Sequence, residues 1–322
     1  MPDLLAQLGV ERPVLQAGMG GGLATSALAV AVSDAGGLGT IGILPPEALR
    51  AEIAAARVQT SKPVAVNVIV PLARRAHWEV ARDADVVVTH WEVLPKRRTG
   101  STWIHTVGSA DEAAVAVVAG ADAVIAQGVD AGGHTRGTVS ALETLEQVLG
   151  AVGSRVPVIV AGGIAASADV QTALEAGAAA AVAGTAFLAT EESGAHPGYK
   201  QRLVDSDETV LTELFGMAWP NAPHRVLPNG ATRRWLKNDP RGPAGVRALH
   251  AALGSAGRLT PMALQLRIAK RASSGALDLS AAAPVVGMPD ATLDTHPLYA
   301  GETVARINRI RPAATVLDDL TP

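Results

Sequence analysis

Short apolar runs, rich in β-branched residues, alternate along the first two thirds of the chain with longer alanine-rich runs of helical character. The apolar positions in the short runs are consecutive rather than alternate, which is typical of strands in a parallel sheet covered on both faces. The pattern predicts eight strands: Val14–Gln16, Leu38–Ile41, Val64–Val68, Asp85–Thr89, Trp103–Val107, Ala123–Gln127, Val158–Ala161 and Ala180–Gly184. It predicts helices between most of them: Ser26–Ala35, Pro46–Arg57, Leu72–Arg82, Ala110–Ala119, Leu142–Val152 and Ser167–Ala176.

Capping residues support several of these helix boundaries. Ser109 and Ser167 stand just before acidic residues at predicted helix starts, where a hydroxyl and a carboxylate satisfy free backbone N–H groups. Glycines follow several predicted ends: Gly36, Gly120 and Gly177. We therefore expect the helices to begin at these serines and to stop at these glycines.

Eight strands that alternate with helices predict a (β/α)8 barrel of the TIM type. The similarity between residues 119–126 and residues 176–183, each a helix end followed by a strand, supports this interpretation. An open, doubly wound sheet is the alternative that the same pattern allows. The connection from His90 to Thr102 is short and polar, so we do not expect a helix there.

The pattern changes after residue 214, where prolines and tryptophans interrupt it. Helical spacing returns at residues 244–253, 261–273 and 300–309. We predict a barrel over residues 1–214, a small helical lid subdomain over 215–276, and a C-terminal segment, 277–322, whose last helix, Ala300–Arg309, closes the barrel.

Composition narrows the range of functions. The 322 residues are 48% hydrophobic and 3% aromatic, carry a formal net charge of -3 and include no cysteine. These values exclude disulfides and cysteine-ligated metal sites and do not suggest a nucleic-acid partner. The N-terminus has no signal-peptide pattern, and the most apolar run, residues 176–189, is too short to span a bilayer. We expect a cytoplasmic protein that has no metal site and no membrane partner.

In a barrel, the reactive groups lie on the loops that follow the strands. The first strand leads into a glycine-rich segment that includes Ala17, Gly18 and Met19, where the backbone can approach a flat ligand closely. An ordinary flexible turn is the alternative.

Two further glycine-rich loops follow the seventh and eighth strands. One carries Gly162 and Gly163, and the other carries Gly184 and Thr185. Loops at these two positions form the common phosphate site of the fold, in which backbone N–H groups hold the anion. The pattern therefore indicates that these loops bind a phosphate-bearing ligand, rather than being tight turns with no binding role.

The longest loop between strands follows the sixth strand. Gln127 at the strand tip offers a donor and an acceptor, while Gly132 and Gly133 would let the backbone press on the face of a ring. His134 comes next and is the nearest base that titrates close to neutrality. Its place on this loop favours a catalytic role over a structural one.

The remaining candidates have structural alternatives of nearly equal weight. Asn67 ends the third strand as an amide that needs partners, and His90 and Trp91 end the fourth strand, where they could line a pocket. Trp219 and Trp235 could face the substrate or anchor the lid. His105 lies within the fifth strand and is interpreted as structural.

These segments together resemble the nitronate monooxygenase family, formerly called 2-nitropropane dioxygenases. The resemblance covers about residues 13–214 and rests on the order and spacing of residues 14–19, 34–39, 127–134, 161–164 and 184–187. It implies an FMN-binding barrel with a helical lid. The family's flavin-binding positions correspond to Asn67, Gln127, Gly132, Gly162, Gly163, Gly184 and Thr185, and its proposed base corresponds to His134. The chain departs from the family at Gly18, where proline is common, and in residues 90–102.

The resemblance implies oxidation of an alkyl nitronate by O2 to a carbonyl compound and nitrite, with FMN as the cofactor. Because the same motifs resemble FMN-dependent enoyl reductases and quinone reductases, NAD(P)H-driven reduction of a quinone or an enoyl thioester is the alternative. A barrel that binds a phosphorylated ligand without redox chemistry is the second alternative. The expected partners are a small-molecule substrate and O2, and the oligomeric state is open, with a homodimer among the candidates.

Overall fold

The computed structural model describes residues 4–92, 94, 96–98, 100–216, 222–237, 239–248 and 281–322. Eleven strands are found in these ranges: β1 Val14–Gln16, β2 Gly39–Ile41, β3 Val64–Ile69, β4 Val86–His90, β5 Thr102–Val107, β6 Ala123–Gln127, β7 Gly133–His134, β8 Val158–Ala161, β9 Ala180–Ala183, β10 Val210–Thr212 and β11 His224–Val226. The main helices are α1 Leu4–Leu8, α2 Ser26–Asp34, α3 Pro46–Gln59, α4 Arg75–Ala81, α5 Ala110–Val118, α6 Ala141–Val152, α7 Ser167–Glu175, α8 Thr185–Leu188, α9 Pro197–Asp205, α10 Gly230–Trp235 and α11 Ala313–Leu320.

Eight of the strands form one parallel sheet in the order β1-β9-β8-β6-β5-β4-β3-β2. A parallel bridge between Leu15 and Leu38 joins the first strand of this order to the last. The prediction of a barrel is therefore confirmed, and the open doubly wound sheet is wrong. All eight carboxyl ends lie at one face, which is where this fold gathers its reactive groups.

Alternate strand residues fill the barrel interior. Leu15, Leu38 and Ile104 lie there together with Val86 and Val88, and Leu5 of α1 packs against the same cluster. Because side chains alternate along a strand, His90 shares the inward face of β4 with Val86 and Val88. His105 is on the opposite face of β5 from Ile104 and points toward the helices.

One predicted helix cap is confirmed and one is wrong. The Ser109 hydroxyl accepts the N–H of Glu112 at the start of α5. At α7 the capping position is Ala166 rather than Ser167, and the Asp169 carboxylate accepts the N–H groups of Ala165 and Ala166, each at 2.8 Å. A carboxylate in the first turn can reach back to both donors, so no capping hydroxyl is needed.

The sequence did not predict the second, smaller sheet, which has the order β10-β11-β7. Its middle strand pairs antiparallel with the loop that follows β6, so that His224 stands opposite His134. Two- and three-residue strands are too short to leave a periodic pattern. Residues 244–248 are helical as predicted, whereas the helix predicted over 261–273 lies outside the described residues.

The predicted last helix over Ala300–Arg309 is wrong. A 3-10 turn spans Glu302–Arg306, and the closing helix is α11, which follows Pro312 and packs against α2 and α7. Proline fits well at a helix start, because its missing N–H is not needed there. Among the described residues, no helix has the length and apolarity required to cross a membrane.

Candidate active site

The barrel brings most of the predicted site residues to the carboxyl ends of its strands. Ala17 follows β1, Asn67 lies in β3, Gln127 ends β6, and the two glycine-rich loops follow β8 and β9. Neighbouring strands β8 and β9 place Gly162 and Gly163 beside Gly184 and Thr185 at this face. Trp219 is outside the described residues.

Asn67 and Gly18 are packed together at the mouth of the barrel. The Asn67 Nδ2 atom donates to the Gly18 carbonyl at 2.6 Å, and a Cβ on Gly18 would lie 2.5 Å from the Asn67 Cβ. The glycine is therefore required by this contact. The Asn67 Oδ1 atom is buried and accepts no hydrogen bond from the described residues. A buried acceptor of this kind fits a ligand that brings an N–H group.

The loops after β8 and β9 present backbone donors. Within the described part of the chain, the N–H groups of Gly163 and Ile164 donate to no acceptor. A Cβ on Gly184 would meet only the Ala17 Cβ, at 3.5 Å, so space is open beside this glycine. The Thr185 hydroxyl accepts the Gly301 N–H at 2.9 Å, which leaves its own proton for another acceptor. This donor set fits a phosphate group.

Gln127 braces the loop that carries the histidine. Its Nε2 atom donates to the His134 carbonyl at 3.3 Å, and its Oε1 atom accepts the Arg136 N–H at 2.9 Å. The glycine at 132 also serves the loop itself, because a Cβ there would lie 2.6 Å from the Gly301 nitrogen. The close approach at Gly132 is thus made to the C-terminal segment of the chain. Flavin contacts by Gln127, Gly132 and Gly133 stay predictions.

His134 lies in an enclosure of rings. The centroid of its imidazole is 4.9 Å from that of His224, 5.6 Å from that of Tyr299 and 6.0 Å from that of Trp91, whose ring meets it edge-on. Burial, followed by the proximity of His224, holds the pKa of His134 well below its usual value. The imidazole is therefore neutral near pH 7, which is the form that accepts a proton.

His224 is a site residue that sequence reasoning missed. Its Nε2 atom accepts the Phe215 N–H at 3.2 Å, and its Nδ1 atom lies 2.9 Å from the Ala222 carbonyl oxygen, which can only accept. These two backbone partners fix the neutral tautomer that carries its proton on Nδ1. The residue lies between Pro223 and Pro228, a segment without periodicity, and no sequence signal linked it to a loop about ninety residues earlier.

Trp91 adopts a strained backbone conformation beside His134. Its φ of 78° is left-handed, and it is the one non-glycine residue with positive φ in the described ranges. An aromatic residue pays for such a conformation in strain, and strain of this kind clusters at functional sites. The Arg136 guanidinium lies 5.0 Å over the Trp91 ring and is ion-paired with Glu112. These contacts hold the ring against His134.

The other two histidines of this region have different surroundings. Burial lowers the pKa of His90, on the inward face of β4, to about 4. The outward-facing His105 binds the Thr89 hydroxyl through Nδ1 at 2.7 Å, and the Trp103 indole donates to the same hydroxyl at 2.7 Å. Burial lowers the pKa of His105 to about 3. His90 thus faces the barrel interior, and His105 belongs to the packing outside it.

Trp235 ends α10 and packs against the cluster formed by Leu214, Phe215, Val226 and Ala231. Phe215 in turn contacts the His224 ring, with centroids 5.9 Å apart. Trp235 therefore supports the residues that pack behind His134. This position favours the anchoring alternative for Trp235.

Comparison with known proteins finds relatives that match most of the chain. The family model described as "Nitronate monooxygenase" matches residues 2–95 and 88–322. Over 98% of its length the chain superposes on the nitroalkane oxidase of Streptomyces ansochromogenes, at 30% identity with a TM-score of 0.76 and 96% of that chain covered. It superposes equally on FabK of Thermotoga maritima, at 29% identity with a TM-score of 0.76 and 94% of that chain covered.

A curated relative from Mycobacterium tuberculosis is named (3aS,4S,5R,7aS)-5-hydroxy-7a-methyl-1-oxo-octahydro-1H-indene-4-carboxyl-CoA dehydrogenase. The two proteins are 35% identical over 269 residues, which cover 79% of this chain and 72% of the relative. The sequence motifs, the barrel and the extent of these matches lead to one assignment. The chain is an oxidoreductase and belongs to the nitronate monooxygenase family, whose members depend on flavin.

Proposed function

We propose that this protein is an FMN-dependent nitronate monooxygenase, which oxidises alkyl nitronates with O2 to carbonyl compounds and nitrite. The observation that carries the proposal is the neutral His134 imidazole enclosed by the rings of Trp91, His224 and Tyr299. The match to the nitroalkane oxidase over nearly the whole chain supports it.

The residues at the strand ends fit FMN. The backbone N–H groups of Gly163 and Ile164 and the Thr185 hydroxyl would hold the phosphate, and the buried Oδ1 of Asn67 would accept a ring N–H. Gly184 leaves room beside them. When bound, FMN supplies the two-electron redox chemistry that links the organic substrate to O2. We propose that the protein contributes position and electrostatics.

His134 would act as the base that removes the α-proton of the substrate. With a neutral nitroalkane as substrate, a ring nitrogen of His134 would accept the α-proton, and the nitronate would form in place. With a nitronate supplied as such, no proton needs to be removed. With substrate and FMN bound, the surrounding rings would help to exclude water, which would keep the base neutral and protect the carbanion from reprotonation. The bond between Gln127 and the His134 carbonyl would hold the loop during this step.

A second candidate function is NAD(P)H-dependent reduction of an enoyl thioester. The match to FabK and the relative named as a CoA-ester dehydrogenase favour it. Such a reduction needs a proton donor for the substrate carbon, and an imidazole whose pKa lies well below its usual value is a poor reservoir of protons near pH 7. For this reason we rank the reductase second. Binding of a phosphorylated ligand without redox chemistry ranks below both, because the family consists of oxidoreductases.

Two measurements test the proposal. Chromatography of the heat-released chromophore should give FMN, since the barrel offers one phosphate site. FAD in its place would contradict the cofactor assignment. The holoenzyme supplied with an alkyl nitronate in air should release nitrite and consume O2 in proportion. Absence of nitrite, with turnover of NADH or NADPH and an enoyl thioester, would instead establish the reductase.

A further inference from the structure

The C-terminal segment Gly301–Arg306, here called the clasp, touches the three loops that follow β6, β8 and β9. The Gly301 N–H donates to the Thr185 hydroxyl at 2.9 Å, and the Glu302 N–H donates to the Asp130 carbonyl at 3.1 Å. The Arg306 side chain reaches the loop after β8. The clasp lies more than a hundred residues from each loop in sequence, so these contacts exist only in the folded barrel.

Arg306 makes the most specific of these contacts. Its Nη2 atom donates to the Gly163 carbonyl at 3.1 Å and to the Asp169 Oδ2 atom at 2.6 Å, and its Nη1 atom donates to Asp169 Oδ1 at 3.0 Å. The same carboxylate accepts the N–H groups of Ala165 and Ala166. The guanidinium and the carboxylate therefore bind three of the four residues 163–166, between the end of β8 and the start of α7.

This arrangement determines which N–H groups of the loop remain for a ligand. Asp169 takes those of Ala165 and Ala166, whereas those of Gly163 and Ile164 have no acceptor in the described ranges. Because the peptide unit is planar and trans, fixing the Gly163 carbonyl toward Arg306 turns the Ile164 N–H to the opposite side. Gly163 has a φ of +74°, a region in which glycine moves freely, so the loop needs an external restraint.

We propose that Arg306 is a positioning residue for the cofactor phosphate: it holds the Gly163–Ile164 peptide so that its N–H points to the anion. The inference rests on the proposed function, since it takes FMN as the ligand. Arg306 acts through geometry rather than through its charge, because Asp169 neutralises the guanidinium at hydrogen-bond distance. If Arg306 acted on the phosphate through its charge, any other cationic side chain at this position would preserve FMN affinity.

Comparison of FMN affinity with riboflavin affinity measures the contribution of the phosphate group to binding. The two ligands share the isoalloxazine ring and the ribityl chain, so a loosened phosphate loop weakens FMN and leaves riboflavin unchanged. Removal of Arg306 should therefore lower FMN affinity by roughly tenfold, which corresponds to ~1.4 kcal/mol of binding free energy.

The experiment measures dissociation constants of FMN and riboflavin by flavin fluorescence for the apoprotein and its variants. Arg306→Met should lose FMN affinity selectively, and Arg306→Lys should lose most of it too, because an ammonium group keeps the charge but not the two-pronged geometry. Arg311→Met is the matched control, since Arg311 pairs with Asp319 and contacts none of the three loops. Its ratio of FMN to riboflavin affinity should equal that of the wild type.

The outcomes separate the inference from the proposed function. Equal affinity of the wild type for FMN and riboflavin would overturn both, because no phosphate would then be held. A wild type that prefers FMN, with an unchanged preference in Arg306→Met, would overturn the role of Arg306 alone, and full retention in Arg306→Lys would assign the effect to charge. If Arg306→Met fails to fold in thermal unfolding, Arg306→Gln takes its place: its amide cannot reach the Gly163 carbonyl and the Asp169 carboxylate together as the guanidinium does, and it should show the same selective loss.

Discussion

The imidazole rings of His134 and His224 face each other across the paired strands β7 and β11, with centroids 4.9 Å apart. Near pH 7 two backbone partners, the Phe215 N–H and the Ala222 carbonyl, keep His224 in one neutral tautomer. A neutral ring at this distance packs against His134 without offering it a counter-charge. The pair therefore explains how a histidine in a glycine-rich loop is both fixed in place and kept unprotonated.

Replacement of the proposed base should separate two activities. In His134→Asn, oxidation of neutral nitroalkanes should fall by about 10²–10⁴-fold, because general base catalysis contributes that much. Oxidation of a pre-formed nitronate should be retained, since it needs no base. Rapid-mixing measurement of flavin reduction with each substrate checks this. Equal loss of both activities would instead indicate stabilisation of the anion, and wild-type rates with both would remove His134 from the mechanism.

A matched control for this variant is His196→Asn. His196 accepts the Gly198 N–H at the start of α9, a capping position that asparagine also fills well. It takes no part in the ring enclosure of His134. This variant should keep wild-type rates with both substrates.

Replacement of the second histidine should change the pH dependence. In the wild type, a proton on one of the two rings repels a proton on the other as the pH falls, and this contribution of His224 lowers the pKa of His134. In His224→Phe an aromatic ring still packs on His134, but the repulsion disappears. The pH at which nitroalkane oxidation falls on acidification should therefore move upward. An unchanged pH profile, measured as kcat/KM, would contradict the coupling.

The same substitution should also lower stability. The Phe215 N–H and the Ala222 carbonyl would lose their partner, and a buried unsatisfied polar group costs about 1–3 kcal/mol. Denaturant unfolding of the apoprotein measures this cost directly. A free energy of unfolding equal to that of the wild type would show that the two bonds contribute nothing.

A methyl group added at Gly184 should weaken FMN binding without affecting the folding of the chain. In Gly184→Ala the new Cβ would meet only the Ala17 Cβ at an ordinary contact distance, so the apoprotein should fold with an unchanged Tm. FMN occupancy after purification should drop, because the methyl group enters the space proposed for the phosphate. Full occupancy would place the phosphate elsewhere. Gly150→Ala in α6, where a Cβ meets nothing, is the control and should keep its flavin.

Acidification should destabilise the apoprotein through its buried histidines. Burial lowers the pKa of His90 to about 4 and that of His105 to about 3. Below the ordinary histidine pKa of about 6.5, the unfolded chain binds protons at these two side chains and the folded chain does not. Their contribution to the free energy of unfolding is therefore fully present above this pH and is lost as the pH falls below it. Each residue should contribute about 2 kcal/mol of loss between roughly pH 6.5 and pH 5. Denaturant unfolding across this range should show a shallower slope in His105→Leu, and an identical slope would contradict the assignment.

The barrel itself was predictable because its strands are short, apolar and separated by regular helical runs. Val64–Ile69 and Ala123–Gln127 have no competing interpretation once the helices on either side are recognised. The predicted site residues on the strand ends followed from the same regularity, since parallel strands gather their carboxyl ends at one face.

The part of the site that His224, Tyr299 and the clasp contribute could not be predicted, because it depends on contacts between distant parts of the chain. His224 and Tyr299 reach His134 from segments that show neither strand nor helix periodicity. Gly132 was interpreted as room for a ring, whereas its closest neighbour is Gly301. Arg306 fell in a predicted helix, and only the folded chain brings it to Gly163.

The central claim concerns which compound gives electrons to the flavin. The most direct test is anaerobic mixing of the holoenzyme with an alkyl nitronate alone, and separately with NADH or NADPH alone, while the flavin absorbance is followed. The account predicts that the nitronate bleaches the flavin and that admission of O2 restores the colour with release of nitrite. Bleaching by NADH or NADPH, with no response to the nitronate, would contradict it.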